Sequence, residues 1–247
     1  MVERISTGVS GLDNFISGGI PKGAVILLTG LAGSGKTIFA LQFLIDGAKN
    51  GEKGIFLTFE QPREDIITQC RELSLDIEQY ENSGIIEIIS LRKKNLHFAT
   101  IKEHIQQLVE EKKPLRFVLD SISTFSIFME IASLVEFSEM LNIQSDKPIV
   151  IIPQGNVMSR KAIIEITDIL KNMQTTSIVI SELPEGSQGL SRDTISEFLT
   201  DGVIVLRYMI VGESTNRTLE IRKMRNTEIK GGNVSYIISK GGIVLEV

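Results

Sequence analysis

Apolar residues along this chain gather in short unbroken runs bounded by glycine and charge. AVILLTG at 24–30, GIFLTFE at 54–60, LRFVLDS at 115–121 and TTSIVISE at 175–182 are the clearest. Such runs suit strands covered on both faces. Between them lie segments with apolar residues at helical spacing. TIFALQFLIDGAKNG reads as a helix that Gly51 is placed to end. A second helix is expected from about Pro62 to Leu73, with Pro62 near its first turn. GIIEIIS then reads as a strand, and HFATIKEHIQQLVEEKK and SRKAIIEITDILKNM as helices. This alternation predicts an α/β fold built from βαβ units, with a mostly parallel central sheet flanked by helices.

The pattern loosens in two places. STGVSGLDNFISGGIPKG, ahead of the first strand, mixes turn residues with a short apolar helix pattern. From about Ser126 to Met158 a helix, the apolar run KPIVIIP and a turn follow one another irregularly. LPEGSQGLSRDT reads as a mobile surface loop. From DGVIVLRYMIV onward the chain turns to strands, TLEIRKM, NVSYIIS and GIVLEV, separated by turn signals. No linker or repeat divides residues 1–247, so one domain is expected.

Composition narrows the setting. No stretch approaches the roughly eighteen consecutive apolar residues of a membrane span, and MVERISTGVSG lacks the basic start and apolar core of a signal peptide. A cytoplasmic protein is expected. The single cysteine, Cys70, fits a buried inert thiol. A net charge of −5 gives no global pull toward nucleic acid, so DNA binding would need a local patch and is not favoured. The basic run Arg92, Lys93, Lys94 beside Leu96 and Phe98 reads as a solvated loop. His97 and His104 have no metal-ligand pattern around them. Phe125, Phe128, Met129 and Phe137 are read as core or subunit contacts.

The chemistry starts at 30–37, where GLAGSGKT satisfies the P-loop pattern. Gly30, Gly33 and Gly35 permit backbone conformations that let successive N–H groups, with Leu31, Ala32 and Ser34 between them, converge on phosphate oxygens at a helix N-terminus. Lys36 supplies charge to the outer phosphates of ATP, and the Thr37 hydroxyl can ligate Mg2+. A carboxylate ending another buried strand should hold the same ion, and FVLD offers Asp120, whose plainer role would be a helix cap. Glu60, at the end of GIFLTFE, is the candidate to activate water, with Glu182 at the end of TTSIVISE next in line.

STGVSGLD, GGIPKG, GLAGSGKT, TFEQP, FVLDS, LTDGVI and KMRNT, in this order, resemble the KaiC-like branch of the RecA superfamily of P-loop ATPases. The resemblance covers nearly the whole chain, with 126–158 matching poorly, as an insertion would. It implies a single RecA-like P-loop domain, assembly as a hexameric ring, and ATP held between neighbouring subunits. The family's paired glutamates fall on Glu60 and Gln61, so the second is an amide here. Its Lys-Met-Arg motif falls on Lys223, Met224 and Arg225, implying that Lys223 and Arg225 act on the neighbour's γ-phosphate. Asn226 stands where that motif usually has glycine.

Three classes of function remain open on the sequence. One is an ATPase whose turnover remodels a protein partner. Another is a nucleotide-gated scaffold with little hydrolysis, motivated by Gln61. The third is a recombinase paralogue that binds single-stranded DNA, against which the acidic balance stands.

Overall fold

The computed structural model describes residues 2–91, 98–140, 155–187, 189–211 and 214–246. It opens with a small antiparallel pair, β1 (Arg4–Ile5) and β2 (Ile20–Pro21), around a 3-10 turn at Leu12–Ile16. Then follow β3 (Val25–Gly30), α1 (Lys36–Lys49), β4 (Gly54–Thr58), α2 (Arg63–Glu72), α3 (Ile77–Asn82), β5 (Ile86–Ser90), α4 (Phe98–Lys112) and β6 (Arg116–Asp120). After these come α5 (Ile122–Met140), α6 (Gly155–Asn172), β7 (Thr176–Glu182), α7 (Ser196–Leu199), β8 (Gly202–Val211), β9 (Ser214–Met224), β10 (Asn233–Ser239) and β11 (Gly242–Leu245).

The main sheet has nine strands in the order β11-β10-β9-β8-β3-β7-β6-β4-β5. From β8 to β5 the neighbours run parallel, whereas β9, β10 and β11 continue the sheet antiparallel. The expected mostly parallel sheet with antiparallel strands at the C-terminal end is therefore present.

Alternation along the strands divides the core in two. Ile26, Leu28 and Phe56 pack with α1, α2 and α3 on one face. Val25, Leu27, Ile55 and Leu57 pack with α4, α5 and α6 on the other. Both faces are covered, and this is why the strands read as continuous apolar runs. Phe125 and Met129 are buried in the second core with Phe128 packed against it, so they are core residues. Cys70 is buried in the first, and burial pushes its thiol up to about 12.

Several local expectations change. Strand β4 stops at Thr58, so Glu60 lies in the bend beyond it. Pro62, by contrast, stands at the N-cap of α2, beside its first turn as expected. Helix α6 begins at Gly155, within the stretch read as a turn; glycine is tolerated at a helix start, where the first N–H groups have no helical partner anyway. Helix α3 has Ile77 as its buried residue and shows too little apolar periodicity to be seen in advance. Residues 92–97, with Arg92, Lys93, Lys94, Leu96 and His97, and the KPIVIIP run lie outside the described residues, as do the side chains of Phe98 and Phe137. Among the described residues, no helix is long and apolar enough to cross a membrane.

Candidate functional site

The carboxyl ends of β3, β4, β6 and β7 share one edge of the sheet, and the P-loop leaves β3 there. A Cβ on Gly30 would collide with the carbonyl oxygen of Leu206 on the neighbouring β8, so the strand pairing itself demands glycine. Gly33 (φ 77°) and Gly35 (φ 96°) take left-handed conformations, which lead the loop into α1. Lys36 is 8% exposed and donates to the carbonyls of Gly30 (3.0 Å) and Leu31 (2.9 Å). Burial lowers its pKa, while Glu182, Asp120 and Glu60 act to raise it.

Two strands distant in sequence brace the loop from outside. Tyr236 on β10 donates its hydroxyl to the Ser34 carbonyl (2.5 Å), and Arg217 on β9 donates to the Gly33 carbonyl (3.0 Å). The Arg217 guanidinium also lies 5.4 Å from the centre of the Tyr208 ring. No local spacing in the sequence marks these residues, because their positions follow from sheet order alone.

Opposite the lysine stand the acids. The Thr37 hydroxyl donates to Asp120 Oδ2 at 3.0 Å, joining the start of α1 to the end of β6. Asp120 is 3% exposed, and its carboxyl is pushed up to about 7, first by burial and then by Glu60, against the pull of Thr37 and Lys36. Glu60 Oε1 accepts from the hydroxyls of Ser121 and, at 2.8 Å, Thr124. Gln61 is tied down by its backbone, with its N–H on the Thr58 hydroxyl (3.2 Å) and its carbonyl on the Ser90 hydroxyl (2.8 Å).

Ala32, Gly33, Gly35, Lys36, Thr37, Glu60, Gln61, Asp120 and Glu182 all line one cavity of about 380 Å³. Leu31 contributes its carbonyl to Lys36 while its side chain packs against the second core. Of the ionisable groups lining the cavity, Glu60, Asp120 and Glu182 face the single ammonium of Lys36, a deficit of positive charge. A hydroxyl and a carboxylate in contact at the deficit are oxygen donors of the kind Mg2+ takes together with phosphate and water, so the residues present fit that ion. Among the described residues, no group of three or more acids, histidines or cysteines could hold a metal by itself.

Lys223 and Arg225 lie elsewhere. Met224 pairs with Gly202, and Gly202 with Ile26, four positions before Gly30 on β3. At about 3.3 Å per residue this puts them roughly 13 Å away, toward the opposite edge of the sheet from the P-loop. Lys223 donates to the carbonyls of Glu197 (2.9 Å) and Thr200 (2.6 Å) at the end of α7. Arg225 is half exposed and pairs with Asp201 at 3.1 Å. Asn226 adopts φ 55°, the left-handed conformation a glycine would supply and asparagine tolerates, so the turn survives the replacement.

The family model described as ATPase: KaiC matches residues 5–137 and 129–246. The circadian clock protein KaiC3 of Synechocystis sp. is 30% identical, with 99% of this chain and 46% of that protein covered. The circadian clock oscillator protein KaiC of Parathermosynechococcus lividus is also 30% identical, with 98% and 42% covered. The chain thus spans less than half the length of these curated relatives. A crystal structure of a KaiC-like protein from Pyrococcus horikoshii OT3 superposes with a TM-score of 0.80 at 31% identity, covering 100% of both chains. The chain belongs to the KaiC-like family of the RecA superfamily of P-loop ATPases.

Proposed function

We propose that the chain forms one domain that binds Mg-ATP in the P-loop cavity and hydrolyses it at the interfaces of a ring-shaped homo-oligomer, a hexamer in the family's manner. The observation that carries this reading is the convergence of Lys36, Thr37, Asp120 and Glu60 on one cavity at the carboxyl edge of the sheet. Backbone N–H groups of 31–37 and the Lys36 ammonium would hold the phosphates, with Lys36 exchanging the loop carbonyls for phosphate oxygens. Magnesium, when bound, offsets the phosphate charge, and Thr37 and Asp120 would hold it. Glu60 keeps Oε1 on two hydroxyls, while Oε2 has no hydrogen bond among the described residues and is available to take a proton from water.

Lys223 and Arg225 cannot serve the cavity of their own chain from the opposite side of the sheet, which supports their acting on a neighbour's nucleotide. Lys223 is already committed to the end of α7, so Arg225 is the group more available to stabilise charge developing on a transferred phosphoryl group.

Gln61 favours a second reading, a scaffold that holds ATP and turns it over slowly, because an amide cannot act as a base. Steady-state phosphate release from Mg-ATP decides between them. Turnover that Lys36→Ala abolishes supports the ATPase. ATP binding that depends on Lys36 with no release above background supports the scaffold. Stimulation by single-stranded DNA would instead point to nucleic acid as the partner.

A further inference from the structure

A second cavity of about 370 Å³ lies at the carboxyl edge of β7, among α5, α6 and the segment that follows β7. Its wall includes Ser126 and Glu130 from α5, Arg160 from α6, and Arg192, Asp193 and Thr194 from that segment. The Asp193 carboxylate is already engaged. It accepts from the N–H groups of Ile195 (2.9 Å) and Ser196 (2.7 Å) and from the Ser196 hydroxyl (2.8 Å). Arg160 reaches the Thr194 hydroxyl at 3.3 Å and makes no ion pair among the described residues. The Arg192 side chain makes neither ion pair nor hydrogen bond among them. Arg160 and Arg192, both exposed, thus line the cavity together with two acids, Asp193 and Glu130.

A chain of hydrogen bonds runs from the backbone of Arg192 to the nucleotide pocket. The Arg192 N–H donates to the Ser181 hydroxyl (3.4 Å), which shares a hydrogen bond with the Ser123 hydroxyl (3.2 Å). Ser123 in turn accepts the N–H of Glu182 at 3.0 Å. Ser181 and Glu182 are successive residues of β7 and so point to opposite faces of the sheet. Glu182 lines the P-loop cavity and pairs with Gly30.

We propose that this cavity is a second binding site, for an oxyanion of the phosphate or carboxylate type, and that its occupancy is coupled to the nucleotide pocket through Ser123, Ser181 and Glu182. Guanidinium groups offer paired N–H donors that match such an oxyanion, and the Thr194 hydroxyl, which accepts from Arg160, has its own proton to donate beside them. Drawing Arg192 toward a bound anion pulls on its N–H contact with Ser181, and thereby on the strand end that carries Glu182. The coupling rests on the P-loop cavity being the nucleotide site, whereas anion binding does not.

The test uses Lys36→Ala, so that phosphate has little hold on the P-loop, with inorganic phosphate and succinate titrated in separate calorimetric arms. Saturable binding is expected in at least one arm, and the pattern across the arms tells phosphate from carboxylate. Adding Arg160→Ala and Arg192→Ala together should weaken it about tenfold or more, and Arg192→Lys less, since a lysine keeps the charge but loses the paired donors. No saturable binding in either arm, or binding indifferent to the double substitution, would overturn the site. With Lys36 intact, the anion that binds should change the affinity for a fluorescent ATP analogue by on the order of fivefold. That change should be absent from the Arg160→Ala, Arg192→Ala protein, which controls for competition at the P-loop. An affinity that moves equally in both proteins would overturn the coupling. Full analogue binding by Lys36→Ala would instead count against the P-loop assignment, so the two failures are distinct.

Discussion

At the scale of single residues the account turns on Asp120, a buried carboxyl among other acids. Its pKa is raised from the ordinary 3.8 to about 7, so between those values the folded state holds a proton that the unfolded state has released. Stability from this group therefore falls as pH rises through that window. Asp120→Asn removes the dependence. Without nucleotide, the variant should melt roughly 4 °C or more above the parent near pH 8 and show a flatter melting profile with pH, while losing the extra stabilisation that Mg2+ adds to bound ATP. Equal pH profiles for the two proteins would show that the carboxyl is not held this way. Glu60→Gln is expected to bind a fluorescent ATP analogue normally and to release phosphate about a hundredfold more slowly or worse. Undiminished turnover would move attention to Glu182. Residues 30–37, Asp120 and Glu60 were legible in the sequence because each sits within or just beyond a buried run whose end the pattern marks. The hydroxyls that hold Glu60 were not, because Ser121 and Thr124 meet it only when β4 and β6 pair side by side.

At the scale of elements, the C-terminal strands do more than extend the sheet. Tyr236 and Arg217 contact P-loop carbonyls 202 and 184 positions away in the chain, distances over which no periodicity carries information. Tyr236→Phe leaves a buried carbonyl without its donor. About 1–2 kcal/mol of stability should be lost in chemical denaturation, together with a few-fold loss of affinity for the ATP analogue. If stability fell and affinity did not, the brace would be structural only. The parallel strands were readable since both of their faces are buried. The short helix α3 was not, having one buried residue, and neither was the polar half of β9, which stays extended only because it pairs with the outer half of β8.

At the scale of the whole molecule, Lys223 and Arg225 stand at the opposite edge of the sheet from their own chain's P-loop cavity, while the family resemblance assigns them to a neighbour's. No pattern of charge in TLEIRKMR distinguishes an edge strand facing water from a catalytic contact with a neighbour, so this part of the site was legible only by resemblance. Assembly then becomes part of the chemistry: phosphate release per chain should rise with protein concentration as rings form. The most direct test mixes two variants, Arg225→Ala and Glu60→Gln, each nearly inactive alone. Light scattering with and without ATP verifies that both still assemble. In mixed rings some interfaces combine an intact Glu60 with an intact Arg225 from the adjoining subunit, so the mixture should regain a measurable part of the parent activity. A mixture as inactive as its components, from variants that assemble normally, or an Arg225→Ala protein with full activity as a monomer, would contradict a shared site.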